Sequence, residues 1–298
     1  MRDLPFIDAH VHLWNLERIS YPWLTPPFSD DGPNGSVEPI ARTYLLDDYL
    51  ADAAGWNVVG MVHVDAGAAP AAALDETRWL QALADERGMP QAIVAFAALD
   101  DPDLERLLEA HAEHRNLRGI RHIVNWHPDP RRTYTARDVT ADTKWQRGFD
   151  LLGRFGLSFD LQCYPGQFAN VAAAIARNPD TPVILNHCGM PVDGLDHWRA
   201  EIGRLTELPN VCVKMSGFGF IDRAWKPDTV KPFALELIDR FGPDRVLFAS
   251  DFPTDKLFAT FAHVMETFVD VASGFGEDEQ RSLFAGNADG VYRLGLAV

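Results

Sequence analysis

Phe6-Ile7-Asp8-Ala9-His10-Val11-His12 places two imidazoles two residues apart on a short apolar run. In a β-strand, residues two apart point to the same side, so His10 and His12 face together at the strand end, with Asp8 deeper on the same face. Such a pair presents nitrogen to a metal ion or a substrate, the plain alternative being two solvated histidines at a strand terminus. Partners elsewhere in the chain decide between these.

Working outward, the same apolar run recurs. Strands are predicted at 6–12, 56–64, 91–97, 117–124, 157–162, 182–186, 211–215 and 245–250, from short stretches rich in Val, Ile and Leu. Helical spacing follows or separates them at 70–87, 102–114, 144–155, 168–178, 198–207, 231–241, 257–272 and 277–294, with stops such as Gly88, Gly156 and Gly242-Pro243. A short helix capped by Asp47 or Asp48 ends near Gly55. Eight strand-helix units without a break in composition predict an α/β fold, a (β/α)8 TIM barrel forming one domain over 1–298. An open doubly wound sheet would carry a Gly-rich phosphate loop after its first strand, and no GxGxxG follows 6–12. Residues 13–43 have neither period, but hold Trp14, Tyr21-Pro22-Trp23 and Pro26-Pro27-Phe28, which predicts an ordered, lid-like loop after strand one.

The 298 residues are 47% hydrophobic, ample for such a core, and the formal charge of −16 with no basic run argues against a nucleic-acid partner. No apolar run approaches the roughly 20 residues of a membrane span. Only five residues precede the first strand, so no leader is expected and the expected location is the cytoplasm. Cys163, Cys188 and Cys212 form no CxxC pair and are expected to pack as small apolar residues.

A barrel puts its chemistry at the C-terminal ends of its strands. There the sequence offers His10 and His12 on strand one, His187 on strand six and Asp251 on strand eight. Three imidazoles and a carboxylate make either a mononuclear metal site or a proton-transfer site. Arg121 and His122 lie on strand four, Tyr164 follows strand five, and Lys214 lies within strand seven. Lysine is rarely found inside an apolar strand unless paired or active, so Lys214 is expected either to touch substrate or to form a structural salt bridge. Asp8 is expected to orient a histidine from behind, and His63 and His122 to be ordinary hydrogen-bonded strand residues. Trp14 on the lid and Trp126 on the loop after strand four are candidates for substrate contact.

These motifs resemble a known family. Ile7-Asp8-Ala9-His10-Val11-His12 followed by Trp14 and Tyr21-Pro22-Trp23-Leu24, then Arg118-Gly119-Ile120-Arg121-His122, Asn186-His187-Cys188-Gly189, Phe248-Ala249-Ser250-Asp251-Phe252-Pro253 and Gly286-Asn287-Ala288, resemble the amidohydrolase-related TIM barrels. They look most like the lactonase branch, which includes L-fuconolactone and L-rhamnonolactone hydrolases and pyrone-dicarboxylate lactonase. The resemblance implies hydrolysis of a small-molecule lactone, with Asp251 as general base, His10, His12 and His187 polarising the carbonyl, and Arg121 binding substrate; Tyr164 and Lys214 are looser proposals. It also implies one divalent ion, zinc first, on His10, His12, His187 and Asp251. The departures matter: where metal-dependent relatives carry a carbamylated lysine on strand four or a histidine ending strand five, this chain has Arg121-His122 and Gln162. A binuclear centre is not expected, and catalysis without metal stays open. Other readings are a metal-dependent decarboxylase or hydratase of an aromatic or unsaturated acid, and a non-catalytic binding subunit. Barrels of this family often pair, so a homodimer is a further expectation.

Overall fold

Eight apolar stretches pair in sequence order as parallel strands: β1 (Phe6–Val11), β2 (Val58–Val64), β3 (Ala92–Phe96), β4 (Leu117–Ile123), β5 (Ser158–Gln162), β6 (Val183–Leu185), β7 (Val211–Met215) and β8 (Val246–Phe248). The description rests on a computed structural model and covers every residue except Met1 and Ala297. The eighth strand returns to the first. Asp251 N donates to His10 O at 2.9 Å, His12 N donates to Phe252 O at 2.8 Å, and Val11 and Phe252 form a parallel bridge. The fold is the expected TIM barrel, closed at the strand ends where the polar residues collect.

The outer layer is α1 (Leu46–Asp52), α2 (Ala73–Arg87), α3 (Leu104–Ala112), α4 (Thr143–Leu152), α5 (Phe168–Arg177), α6 (Leu195–Thr206), α7 (Pro227–Phe241) and α8 (Phe261–Ala272). Leu45, not Asp47 or Asp48, precedes the first turn of α1; Asp48 reaches back from the third helical position and accepts from Leu45 N at 2.8 Å. Helical pattern at 277–294 resolves into α9 (Glu277–Arg281), a wide turn at Ser282–Gly286 and α10 (Asn287–Tyr292). That turn packs Phe284 against Phe6 and Phe248, and α10 then delivers Tyr292 among Ile7, Ala9, Val62 and Leu247 in the barrel's inner core. Among the described residues, no helix is long and apolar enough to cross a membrane.

β1 departs from regular alternation. Asp8 pairs with Met61 and Val11 with His63, so three steps along β1 match two along β2. One residue is extra, a β-bulge, and it turns the chain over between Asp8 and His10. Asp8 therefore does not share the face of the histidines, and the expectation that it orients one of them is corrected. Its carboxylate accepts from Ser250 N at 2.8 Å, from Tyr49 Oη of α1 at 3.0 Å and from His10 N at 3.3 Å. It ties β1 to β8 through backbone, and burial raises it to about pKa 6 against those hydrogen bonds.

The loop at 13–43 is pinned at both ends, since Trp14 and Tyr44 exchange backbone hydrogen bonds of 2.9 Å. Trp14 is fully buried, its indole N–H donating to Arg42 O at 2.6 Å. Trp23 continues the aromatic cluster, edge-on to Trp14 with centroids 5.5 Å apart, and donates to Ala66 O at 2.8 Å. Gly67 beneath it has φ +73°, and a Cβ there would stand 2.9 Å from Trp23 Nε1. The lid thus lies ordered against the end of β2.

Candidate active site

The strand ends enclose a cavity of about 230 Å³. His12, Arg121, Gln162, His187 and Asp251 supply its polar wall, and Trp23, Asn34, Tyr134 and Phe220 supply the lid side. His187 and Asp251 are held by strained backbone, with φ of 52° and 58° in a region that side chains with Cβ rarely occupy. Two such residues, at two different strand ends, converge on one cavity.

His12 Nδ1 lies 2.8 Å from Val64 O, so that nitrogen carries the proton and donates, leaving Nε2 with a lone pair. Nε2 of His12 is 3.2 Å from both His10 Nε2 and Asp251 Oδ1, and His10 Nε2 is 3.5 Å from the same carboxylate oxygen. Burial, with the Arg121 charge nearby, holds His12 down at about pKa 3. Burial, with Lys214 and the neighbouring imidazoles adding to it, holds His10 well below its ordinary value. His187 lies at about pKa 4, lowered by burial while Asp251 pulls the other way. Three imidazoles held neutral by burial therefore surround the carboxyl group of Asp251. Asp251 itself is raised by burial, against the stabilising fields of His187, Arg121 and Lys214.

His187 is fixed by Ser216, whose hydroxyl lies 3.0 Å from Nδ1. Gly217, at φ +65°, lets the chain press against this ring, since a Cβ there would stand 2.8 Å from Nδ1. Arg121 is held on one side: Nε donates to Asp65 Oδ2 at 2.8 Å, Nη2 to Asp65 O, and Nη1 to Gln162 Oε1 at 3.2 Å. Two of its five N–H groups remain for the cavity.

The expected site residues divide. His12, His187, Asp251 and Arg121 meet at the cavity, with His10 directly behind. Lys214 does not reach it. Its side chain is fully buried, with Nζ paired to Asp160 and 3.4 Å from His10 Nδ1, while Tyr292 Oη donates to Asp160 at 3.0 Å. An ammonium sealed inside the barrel needs a carboxylate more than it can serve a ligand, so substrate contact by Lys214 is corrected in favour of the salt bridge. Trp14 is buried behind Trp23, which takes the lid position expected of it. Trp126 is partly exposed outside the cavity lining. Tyr164 lines a neighbouring hollow, its hydroxyl donating to Arg132 O at 2.5 Å. His63 and His122 are structural, as expected, bonded to Leu13 O and Leu99 N. The three cysteines are free thiols, two buried and one half-buried.

Sequence reasoning missed Asp65, Tyr134, Asn34 and Ser216. Asp65 follows the apolar run of β2 as Asp251 follows that of β8, and the same rule applied to β2 finds it. Tyr134 and Asn34 come from irregular segments and meet through a 2.5 Å hydrogen bond, which no periodicity reveals.

The donor set also suits a metal ion. Ligand atoms of His10, His12 and Asp251 all lie within 4.8 Å of one another, and both Asp251 oxygens are buried without a hydrogen-bond partner among the described residues. Two imidazoles and a carboxylate match zinc. His187, expected as a fourth ligand, stands outside that group, with its ring centroid 4.8 Å from that of His10.

Comparisons with known proteins agree with this architecture. An uncharacterised protein, y4mH, of Sinorhizobium fredii is 41% identical over 99% of this chain and 100% of its own. An L-fucono-1,5-lactonase of Burkholderia multivorans is 28% identical, over 97% of this chain and 96% of its own. A solved amidohydrolase from Burkholderia multivorans with bound zinc superposes with a TM-score of 0.80 at 27% identity, covering 97% of this chain and 99% of its own. The Amidohydrolase family profile matches residues 7–294, and the chain belongs to that family.

Proposed function

We propose that this protein hydrolyses a small lactone, a sugar lactone or a related carboxylated ring. The observation that carries the reading is Asp251: a buried carboxylate on the cavity wall with no hydrogen-bond partner among the described residues, beside neutral imidazoles. A base in that setting is available to a water molecule. The similarity to lactonases supports the choice of substrate class.

Asp251 takes a proton from water as its oxygen bonds to the lactone carbonyl carbon. The ring C–O bond then breaks, and the same carboxyl returns the proton to the departing alkoxide, giving a hydroxy acid. His187 and the free N–H groups of Arg121 donate to the carbonyl oxygen as it gains charge. Trp23 and Tyr134 line the lid side of the cavity. A divalent ion held by His12, Asp251 and, with its proton moved to Nδ1, His10 would supply Lewis-acid polarisation of that carbonyl.

A pH-indicator assay over a panel of sugar and carboxylated lactones tests the reading. Hydrolysis releases a proton, and Asp251→Asn should lower turnover by about 10²–10⁴-fold with the fold intact by circular dichroism. Near-normal turnover in that variant, or no turnover of any lactone by the parent, overturns it. Conversion of aromatic acids that ceases on chelation would instead support the decarboxylase reading.

A further inference from the structure

We infer that Lys214 is a positioning residue that fixes the tautomer of His10 and, through it, opposes metal binding at a centre whose donors otherwise suit zinc. The inference goes beyond the lactone reading and does not depend on it.

The argument follows the hydrogen atoms. Lys214 Nζ has donors and, as an ammonium, no acceptor, and its partner Asp160 is an acceptor. The atom facing it from the site, His10 Nδ1 at 3.4 Å, must then be the unprotonated nitrogen. A neutral imidazole with Nδ1 bare carries its proton on Nε2. At the other end, Val64 O fixes His12 with the proton on Nδ1 and a lone pair on Nε2. His10 Nε2 and His12 Nε2 are 3.2 Å apart, so the proton on the first points at the lone pair of the second. The four groups form one directional chain from Lys214 through His10 and His12 to Val64 O. Every nitrogen on it is matched, and Asp251 is left out, its two oxygens having no hydrogen-bond partner among the described residues.

The chain conflicts with metal ligation. His10 could bind a cation through Nε2 only with its proton moved to Nδ1, which would aim an N–H at the Lys214 ammonium. His12 and Asp251 are ready to ligate and His10 is not. Lys214, Asp160, Tyr292 and His10 are all fully buried, so water cannot easily relieve the conflict.

The test reads tautomer and zinc affinity without turnover, so its failure is separate from failure of the lactone reading. Protein labelled with ¹⁵N-histidine should give a metal-free His10 signal of the Nε2–H type, identified by its loss in His10→Gln. An Nδ1–H signal overturns the inference. Zinc affinity is then measured by competition with a chromophoric chelator, for the parent and for Asp160→Asn/Lys214→Gln. That change keeps the net charge and offers a carboxamide oxygen to an Nδ1–H. At least tenfold tighter zinc binding is expected; a change below threefold counts against the inference. If the double variant does not fold, the spectrum of the parent protein decides.

Discussion

Among the described residues, two cation–carboxylate pairs are buried inside this barrel, and they differ in what else they touch. Arg121 and Asp65 sit at the cavity wall, with side chains 4% and 1% exposed, and the guanidinium keeps N–H groups free for a ligand. Lys214 and Asp160 are wholly sealed, with Tyr292 on one side and His10 on the other. The chemistry of the pairs is alike, yet one meets the cavity directly and the other acts only through a histidine. Burial of a charge in this fold therefore does not by itself put a free donor on the cavity wall.

The largest expected effect is on the barrel that encloses both pairs. His12, His63, His111, His122 and His187 have pKa values lowered by burial to about 3–4. Unfolded, each takes up a proton near pH 6.5, whereas the folded protein does so only near pH 3–4. Stability therefore falls as pH drops below 6.5, by up to about 1.4 kcal/mol per pH unit for each group. Asp8, raised to about 6, and Glu76, raised to about 8 chiefly by burial, work in the opposite sense and offset part of the loss. The expected outcome is a lower urea midpoint at pH 5 than at pH 7; an equal or higher midpoint would show that these imidazoles are not buried neutral.

Next, Lys214→Met should break the sealed pair and cost about 3–5 kcal/mol in urea unfolding, because Asp160 is left charged and buried. Arg121→Met should cost less stability, about 1–3 kcal/mol, since Asp65 borders the cavity and its water. It should also lower kcat/KM for the lactone about 10²-fold by removing a carbonyl donor. Equal stability losses in the two variants would erase the distinction between the pairs. Smallest should be Asp160→Asn/Lys214→Gln, which removes both charges together and should unfold closer to the parent protein than Lys214→Met does.

The barrel was legible because each strand is a short apolar run with its own punctuation, and because His10, His12, His187 and Asp251 all follow such runs. The strand ends were overestimated, as at 245–250 against Val246–Phe248, since the chain leaves the ladder to turn at the very residues that build the site. The bulge in β1 was not legible, because no residue between Asp8 and His10 signals an extra step. Alternation alone put Asp8 on the wrong face. Lys214 was read correctly as anomalous, but a sequence cannot say which of several buried carboxylates a cation will find.

The seam of the barrel has a consequence for opening motions. β8 is joined to β1 by amides of the site itself: Asp251 N on His10 O, His12 N on Phe252 O, and Ser250 N on the Asp8 carboxylate. Any excursion that unzips the first strand from the last also separates Asp251 from both histidines. Hydrogen exchange at these three amides would gauge the integrity of the candidate site, and the slowest-exchanging of them would report the free energy that holds the ring shut.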